Sequence, residues 1–420
     1  MKKILLIILM LFVLTGCKNK KPKLEETEEL FSYNLLEDDT YEIFGNQTIE
    51  YKAAVRKIEI PTTYKGKDVT TIGYQAFSGY GALKEVTIPE GIMYINAEAF
   101  WDCADLEEVV LPATLSWLFV DAFLGCNKLK SFEVKEGNVA FSSMDGILYN
   151  KEQTALVRCP EGKKMEKFFV PEEIELIDVN AFTGCDNVNE IYIGPNVISI
   201  VINDFWGCWE CRGVFVVGEH AFWQASNLVN INVDPGNESY KSHDGILYSK
   251  DMRELIVCPA GKTGEIVIPE GVEMVGMGAF ASCDKIVNII FPSTLSHITP
   301  NAFWDCDSLT KVTFDKENEM FKYSDGVIYK EGNKLDLCLE DKEGDFIIPD
   351  TVTYISGYSF YNKNKLNNVY IPESVVEVED WAFSSCDNLT IKVYHETRPG
   401  SWNEGWNPDE IEVVWNYKNS

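Results

Sequence analysis

The chain is predicted to fold as a β-rich repeat solenoid of short stacked strands in ~23-residue coils, interrupted by three inserted hairpin-like segments. Three observations carry that prediction. First, a short side chain followed by Phe recurs ten times, at Phe77, Phe100, Phe123, Phe182, Phe205, Phe222, Phe280, Phe303, Phe360 and Phe383. Seven of these carry Cys three residues later, at Cys103, Cys126, Cys185, Cys208, Cys283, Cys306 and Cys386. Second, the step between directly following coils is 23 residues, as from Phe77 to Phe100 to Phe123, Phe182 to Phe205, Phe280 to Phe303 and Phe360 to Phe383. A fixed period of that size marks a solenoid, in which each unit buries its apolar face only against its neighbours. Third, an apolar strand residue is followed directly by Pro eight times, as in Ile88-Pro89, Leu111-Pro112, Ile268-Pro269 and Ile371-Pro372.

The N-terminus begins Met1-Lys2-Lys3, continues with an uninterrupted apolar run from Ile4 to Leu14, and ends in Thr15-Gly16-Cys17. A basic start and an eleven-residue apolar run fit a secretory signal over residues 1–16 and are too short for a permanent membrane span. Leu14-Thr15-Gly16-Cys17 resembles a bacterial lipobox, which implies cleavage before Cys17 and a lipid thioether on its sulfur. Residues 17–30 then read as the acylated Cys and a flexible tether. Their Lys18, Lys20, Lys21 and Lys23 suit anionic headgroups. Loss of Lys2 and Lys3 takes the net charge from −29 to −31. So acidic a chain excludes nucleic acid as a partner, because phosphate contacts need a basic surface.

Residues 31–56 are expected to cap the first coil, 57–395 to form the solenoid, and the Trp-rich 396–420 to cap the last. In the clearest coil, from Val86, the strand Val86–Ile88 stops at Pro89. Ile92, Ile95, Ala99 and Phe100 are expected to turn inward, and Cys103 and Leu106 to close the turn. The three inserts each place Asn three residues before an aromatic, then Asp-Gly and a strand ending in Tyr. They run Asn138–Phe141–Asp145-Gly146–Tyr149, Asn237–Tyr240–Asp244-Gly245–Tyr248 and Asn318–Phe321–Asp325-Gly326–Tyr329. Asp-Gly between apolar strands signals a hairpin. One Asp per insert is too few oxygens for calcium.

The spacing I-P-x-x-V-x-x-I-x-x-x-A-F-x-x-C-x-x-L resembles the BspA-type leucine-rich repeats of bacterial surface proteins over roughly residues 57–395. The opening Thr40-Tyr41-Glu42-Ile43 and the ending Trp402-Asn403-Glu404-Gly405-Trp406 are similar to the same family. The resemblance implies a protein displayed outside the cell that binds host or microbial partners.

Twelve cysteines in an exported chain invite a disulfide framework. Apart from Cys17, however, all of them fall at repeat-defined positions, which suits buried, reduced thiols. Cys208-Trp209-Glu210-Cys211 has redox and zinc spacing, yet Cys211 fills the slot that holds Leu106, Leu129 and Leu309 in other coils. No metal site, cofactor site or catalytic motif stands out, so an enzyme is not expected.

Two irregularities exceed what the coil needs. The residue after the repeat Phe is Ser78, Leu124, Thr183, Ala281, Tyr361 or Ser384 in some coils but Trp at Trp101, Trp206, Trp223 and Trp304. Aromatic side chains on one face suit a glycan or a protein hot spot. In addition, Phe205 to Phe222 spans only 17 residues, which reads as a shortened coil that bends the solenoid or opens a groove. Trp206, Trp209, Phe215 and Trp223 surround it. Together with Trp101 and Trp304 they are the candidate ligand-binding residues, and Cys17 is the lipidation site. The expected function is a lipid-anchored surface protein that binds an extracellular protein or glycan. The alternative is an architectural envelope spacer, with a thiol oxidoreductase behind both.

Overall fold

The computed structural model describes residues 30–119, 121–200, 221–299, 301–339 and 342–418. Two parallel ladders stack the described coils, each broken into four sheets, and the core lies between them. In the first, the Pro-terminated strands Lys57–Glu59, Glu85–Thr87 and Glu108–Leu111 and the following Ser131–Val134 pair in register, with Val86 opposite Val109 and Val109 opposite Phe132. In the second, Lys67–Ile72, Tyr94–Ile95 and Trp117–Leu118 pair with Ile95 opposite Leu118. Because the partners of a residue lie 23 positions away, each position of the repeat becomes a column. Ile92, Ile95, Ala99, Phe100, Cys103 and Leu106 are all 0% exposed, as the spacing predicts.

The Phe column stacks ring on ring, with centroids 5.3 Å apart for Phe77 and Phe100, 5.0 Å for Phe100 and Phe123, and 4.8 Å for Phe360 and Phe383. A backbone bond runs alongside it, the Phe100 N–H donating to the Ala122 carbonyl at 2.8 Å and the Phe280 N–H to Ala302 at 2.8 Å. The chain makes the sharp corners around each Phe by entering the left-handed region two residues before it and two residues after it. Glu98 (φ 54°) and Asp102 (φ 56°) flank Phe100, and Asn301 (φ 61°) and Asp305 (φ 58°) flank Phe303. This conformation favours Gly, Asn and Asp, which explains the polar residues there.

The inserts form the expected hairpins. Phe141–Met144 pairs antiparallel with Ile147–Asn150 around Asp145 (φ 51°) and Gly146 (φ 76°). Positive φ at both turn residues is the geometry that Asp-Gly supplies. Each insert also contributes an additional coil, which the sequence reading did not anticipate. The strand Ala155–Arg158 leaves the hairpin and joins the second ladder beside Leu176–Ile177. Glu254–Val257 and Lys334–Cys338 do the same. In these coils Cys takes the Phe position: the N–H groups of Cys159, Cys258 and Cys338 donate to Ala181, Ala279 and Ser359 at 2.7, 2.7 and 2.8 Å.

The insert Asn is a plug. Asn138, 1% exposed, donates from Nδ2 to the Pro112 and Leu115 carbonyls at 2.8 and 2.9 Å. Its Oδ1 accepts from the Ala140 and Phe141 N–H groups at 2.8 and 2.7 Å. Asn237 and Asn318 repeat the arrangement. A buried backbone corner would otherwise leave these groups unpaired.

The step from Phe182 to Phe205 requires correction. The ring stacked on Phe182 is Phe222, at 5.6 Å and 11°, and the Phe182 N–H donates to Ala221 at 2.7 Å. The strand Glu190–Ile193 likewise pairs directly with Asn230–Val233. No coil fits between rings that close. Five residues separate Ile177 from Phe182, but 22 separate Ile200 from Phe222. The irregularity is therefore one coil carrying a 17-residue insertion, not a shortened coil.

At the N-terminal end the hairpin of Phe31–Leu35 and Tyr41–Gly45 covers the first coil, with the Phe31 ring edge-on to Phe77 at 6.3 Å. At the other end Trp402 and Trp406 are 2% and 5% exposed, and Trp406 packs edge-on to Phe383 at 5.7 Å.

Candidate functional site

The cysteines are structural. Each thiol three residues after the repeat Phe donates to the carbonyl of the Phe position in the preceding coil: Cys103 to Phe77 (3.2 Å), Cys126 to Phe100 (3.3 Å), Cys306 to Phe280 (2.8 Å) and Cys386 to Phe360 (2.9 Å). After two inserts the same carbonyl belongs to Cys159 or Cys258, and Cys185 and Cys283 reach it at 3.6 and 3.5 Å. At the first coil Tyr80 takes the Cys place, its hydroxyl donating to Asn46 at 2.5 Å. Lys363 takes it near the C-terminus, 4% exposed, with Nζ donating to the Tyr361 carbonyl at 2.9 Å. All nine described cysteines beyond the N-terminus are buried. Burial pushes the Cys103 thiol up to about 12 and the Cys126 thiol well above its ordinary value. Such thiols are neither nucleophiles nor ready metal ligands.

The residue after the Phe does not form one continuous exposed face. Thr183, Ala281 and Ser384 are buried, at 1%, 1% and 5% exposure, so tolerance of small polar residues did not mean exposure there. Trp101 is 45% exposed near the N-terminal end, apart from the others. Trp223 and Trp304 come together although 81 residues apart in sequence: their rings lie 5.9 Å apart at 19°, with the buried Ala281 at the same slot of an intervening coil. Both are half-buried. Trp206, Trp209 and Phe215, the C-x-x-C of Cys208 and Cys211, and the lipobox Cys17 lie outside the described residues.

Three further aromatics, Tyr358, Tyr361 and Trp381, extend the pair; of these only Tyr361 is placed by the sequence, and not as a binding candidate. Trp304, Tyr358 and Tyr361 line one small cleft of ≈ 20 Å³, room for about one water. Tyr358 stacks on Trp381 at 6.4 Å and 5° and meets Tyr361 edge-on at 6.1 Å. Tyr358 (φ 58°) and Trp381 (φ 63°) occupy the left-handed corner two residues before the Phe, where other coils place Gln75, Glu98, Asn180 or Asn301. A signal existed: an aromatic at a corner that elsewhere holds polar residues or Gly.

Asp305, the residue after Trp304, belongs to a cluster of three carboxylates. Asp284, Asp305 and Asp307 each place an oxygen within 4.8 Å of the others. Burial, then repulsion from Asp305 and Asp307, raises the Asp284 carboxyl above its usual range. In the N-terminal coils, nearby columns instead pair opposite charges, Lys128 on Asp105 at 2.6 Å and Lys130 on Glu107 at 2.6 Å.

The sequence matches the BspA type leucine rich repeat region in six copies, over residues 42–147, 158–259, 257–325 and 340–397. The chain belongs to that family. Among solved structures it is similar to a leucine rich cell surface protein from Faecalibacterium prausnitzii, at 20% identity and TM-score 0.40, covering 94% of this chain and 98% of that one. It is also similar to the pneumococcal vaccine antigen PcpA, at 18% identity and TM-score 0.41, covering 94% of each. A leucine-rich repeat protein from Eubacterium ventriosum matches at 15% identity and TM-score 0.36, covering 90% of this chain and 96% of that one. No curated protein matches the chain.

Proposed function

We propose that this chain is a bacterial cell-surface protein, lipid-anchored through Cys17, whose solenoid binds a macromolecular partner, either protein or glycan. Membership in the BspA-type repeat family supports the surface assignment. The lipobox-like Leu14-Thr15-Gly16-Cys17 supports the anchor, and two or more acyl chains would hold it stably at ~0.8 kcal/mol per buried CH₂.

The observation that carries ligand binding is the Trp223–Trp304 pair. Small residues suffice at that slot in Thr183, Ala281 and Ser384, so two large, half-exposed indoles exceed what packing requires. A binding role also suits the cysteines better than thiol chemistry does. Replacing Trp223 and Trp304 with Ala is expected to abolish binding on protein and glycan arrays while leaving the fold intact; unaltered binding would rule out the Trp pair as the site, and no binding by the wild type would favour a spacer. Cys17→Ser is expected to release the protein from the membrane fraction or block its processing, and continued attachment would refute lipidation.

A further inference from the structure

We propose that the row of Trp223, Trp304, Tyr361, Tyr358 and Trp381 is a docking surface for an arginine-rich segment of a partner protein. This rests on the ligand-binding reading above and gives the ligand a chemical class.

The row is continuous through the contacts already described, from the Trp223–Trp304 stack across the cleft shared by Trp304, Tyr358 and Tyr361 to the Tyr358–Trp381 stack. All five rings remain partly exposed, Trp381 at 39%. Two of them hold left-handed backbone that disfavours bulky side chains, a cost met elsewhere in the chain by polar residues or Gly.

Charge selects the occupant. In-register stacking turns Asp284 and Asp307, 23 residues apart, into a like-charged column, with Asp305 completing the triad next to Trp304. Ser282 donates to Asp305 at 3.2 Å. Lys285 offsets Asp284 only in part, since its Nζ donates to the Ser226 carbonyl at 2.7 Å. At the far end Asp380 lies close enough to Tyr358 to help raise its phenol, after burial and Tyr361. Carboxylates thus neighbour the row at two points, Asp305 directly after Trp304 in sequence and Asp380 near Tyr358.

A guanidinium answers both features. It is planar, weakly hydrated, stacks on aromatic faces and bridges carboxylates in a two-bond fork. The net charge of −29 would draw a basic segment in and repel sulfated or uronic glycans. A neutral sugar would use the rings but gain nothing from the charge beside them.

The test is fluorescence anisotropy of the full-length chain in detergent with labelled decapeptides of alternating Arg-Gly or Lys-Gly, and with labelled cellohexaose. The Arg peptide should bind more tightly than the Lys peptide and weaken steeply with added salt. Asp305→Asn/Asp307→Asn should weaken it by about tenfold or more without lowering Tm, and Trp304→Ala should weaken it comparably. Equal affinity of the wild type and the double Asn variant, tighter binding of cellohexaose, or no binding of the Arg peptide would overturn the proposal. If the wild type then still captures a ligand on the arrays, only the chemical class has failed. If it captures nothing, the ligand-binding reading falls with it.

Discussion

The first and second inserts follow one plan and differ at its centre. Asn138 and Asn237 plug equivalent corners, Asp145-Gly146 and Asp244-Gly245 turn equivalent hairpins, and Cys159 and Cys258 fill the same Phe position. Yet where the first insert buries Arg158 and Glu161, at 4% and 3% side-chain exposure, the second buries Val257 and Ala260. Arg158 donates to Glu161 at 2.5 Å and also to the Asn180 carbonyl, while Glu161 accepts from the Gly125 N–H at 3.0 Å. Burial nevertheless pushes the Glu161 carboxyl up, outweighing the attraction of Arg158. The register therefore fixes the slots and tolerates either an ion pair or an apolar pair within them. A buried ion pair of this kind carries little net stability over its apolar replacement.

The largest effect that sharpens this comparison is Glu161→Ala, which leaves Arg158 buried without its carboxylate and should cost about 3–5 kcal/mol in urea unfolding. Next, Asn138→Ala and Asn237→Ala should cost about 2–4 kcal/mol each and by similar amounts, because each strips partners from four backbone groups. A large inequality would break the equivalence of the inserts. Gly162→Ala and Gly261→Ala should each cost about 1–3 kcal/mol by overpacking. A Cβ on Gly162 would lie 2.5 Å from the Lys128 carbonyl carbon, and one on Gly261 2.6 Å from the Leu228 oxygen. Smallest are Lys163→Ala and Lys262→Ala, whose ammonium groups donate to the carbonyls of Asp145 and Asp244 at the surface. Thermal or urea unfolding should place both within about 0.5 kcal/mol of wild type.

The solenoid was legible because a period of 23 residues makes columns, and a column that keeps Phe, Cys and Leu in line has only one way to be buried. The inserts' extra coils escaped notice because they put Cys159, Cys258 and Cys338 where Phe marks other coils. The misread step at Phe205 came from local likeness: Asp204-Phe205-Trp206-Gly207-Cys208 matches the repeat as well as Ala221-Phe222-Trp223 does, and only the partner of Phe182 separates them. For the candidate surface, Trp223 and Trp304 were visible as oversized residues, but their contact was not, since it depends on which coils lie between. Tyr358 and Trp381 were not legible because the slot two residues before the Phe carries no apolar pattern: it holds Gln75, Glu98, Asn180 and Asn301 in other coils. The charge of the columns is legible once the register is known, as Asp105 with Lys128 and Asp284 with Asp307 show.

Position in the repeat, not the particular residue, sets what a buried site requires. A double-mutant cycle at Arg158 and Glu161, measured by urea unfolding, tests it most directly. Glu161→Ala should cost about 3–5 kcal/mol, whereas Arg158→Val with Glu161→Ala, which installs the second insert's pair in the first, should return to within about 1–2 kcal/mol of wild type. A double variant as unstable as the single one would contradict the account.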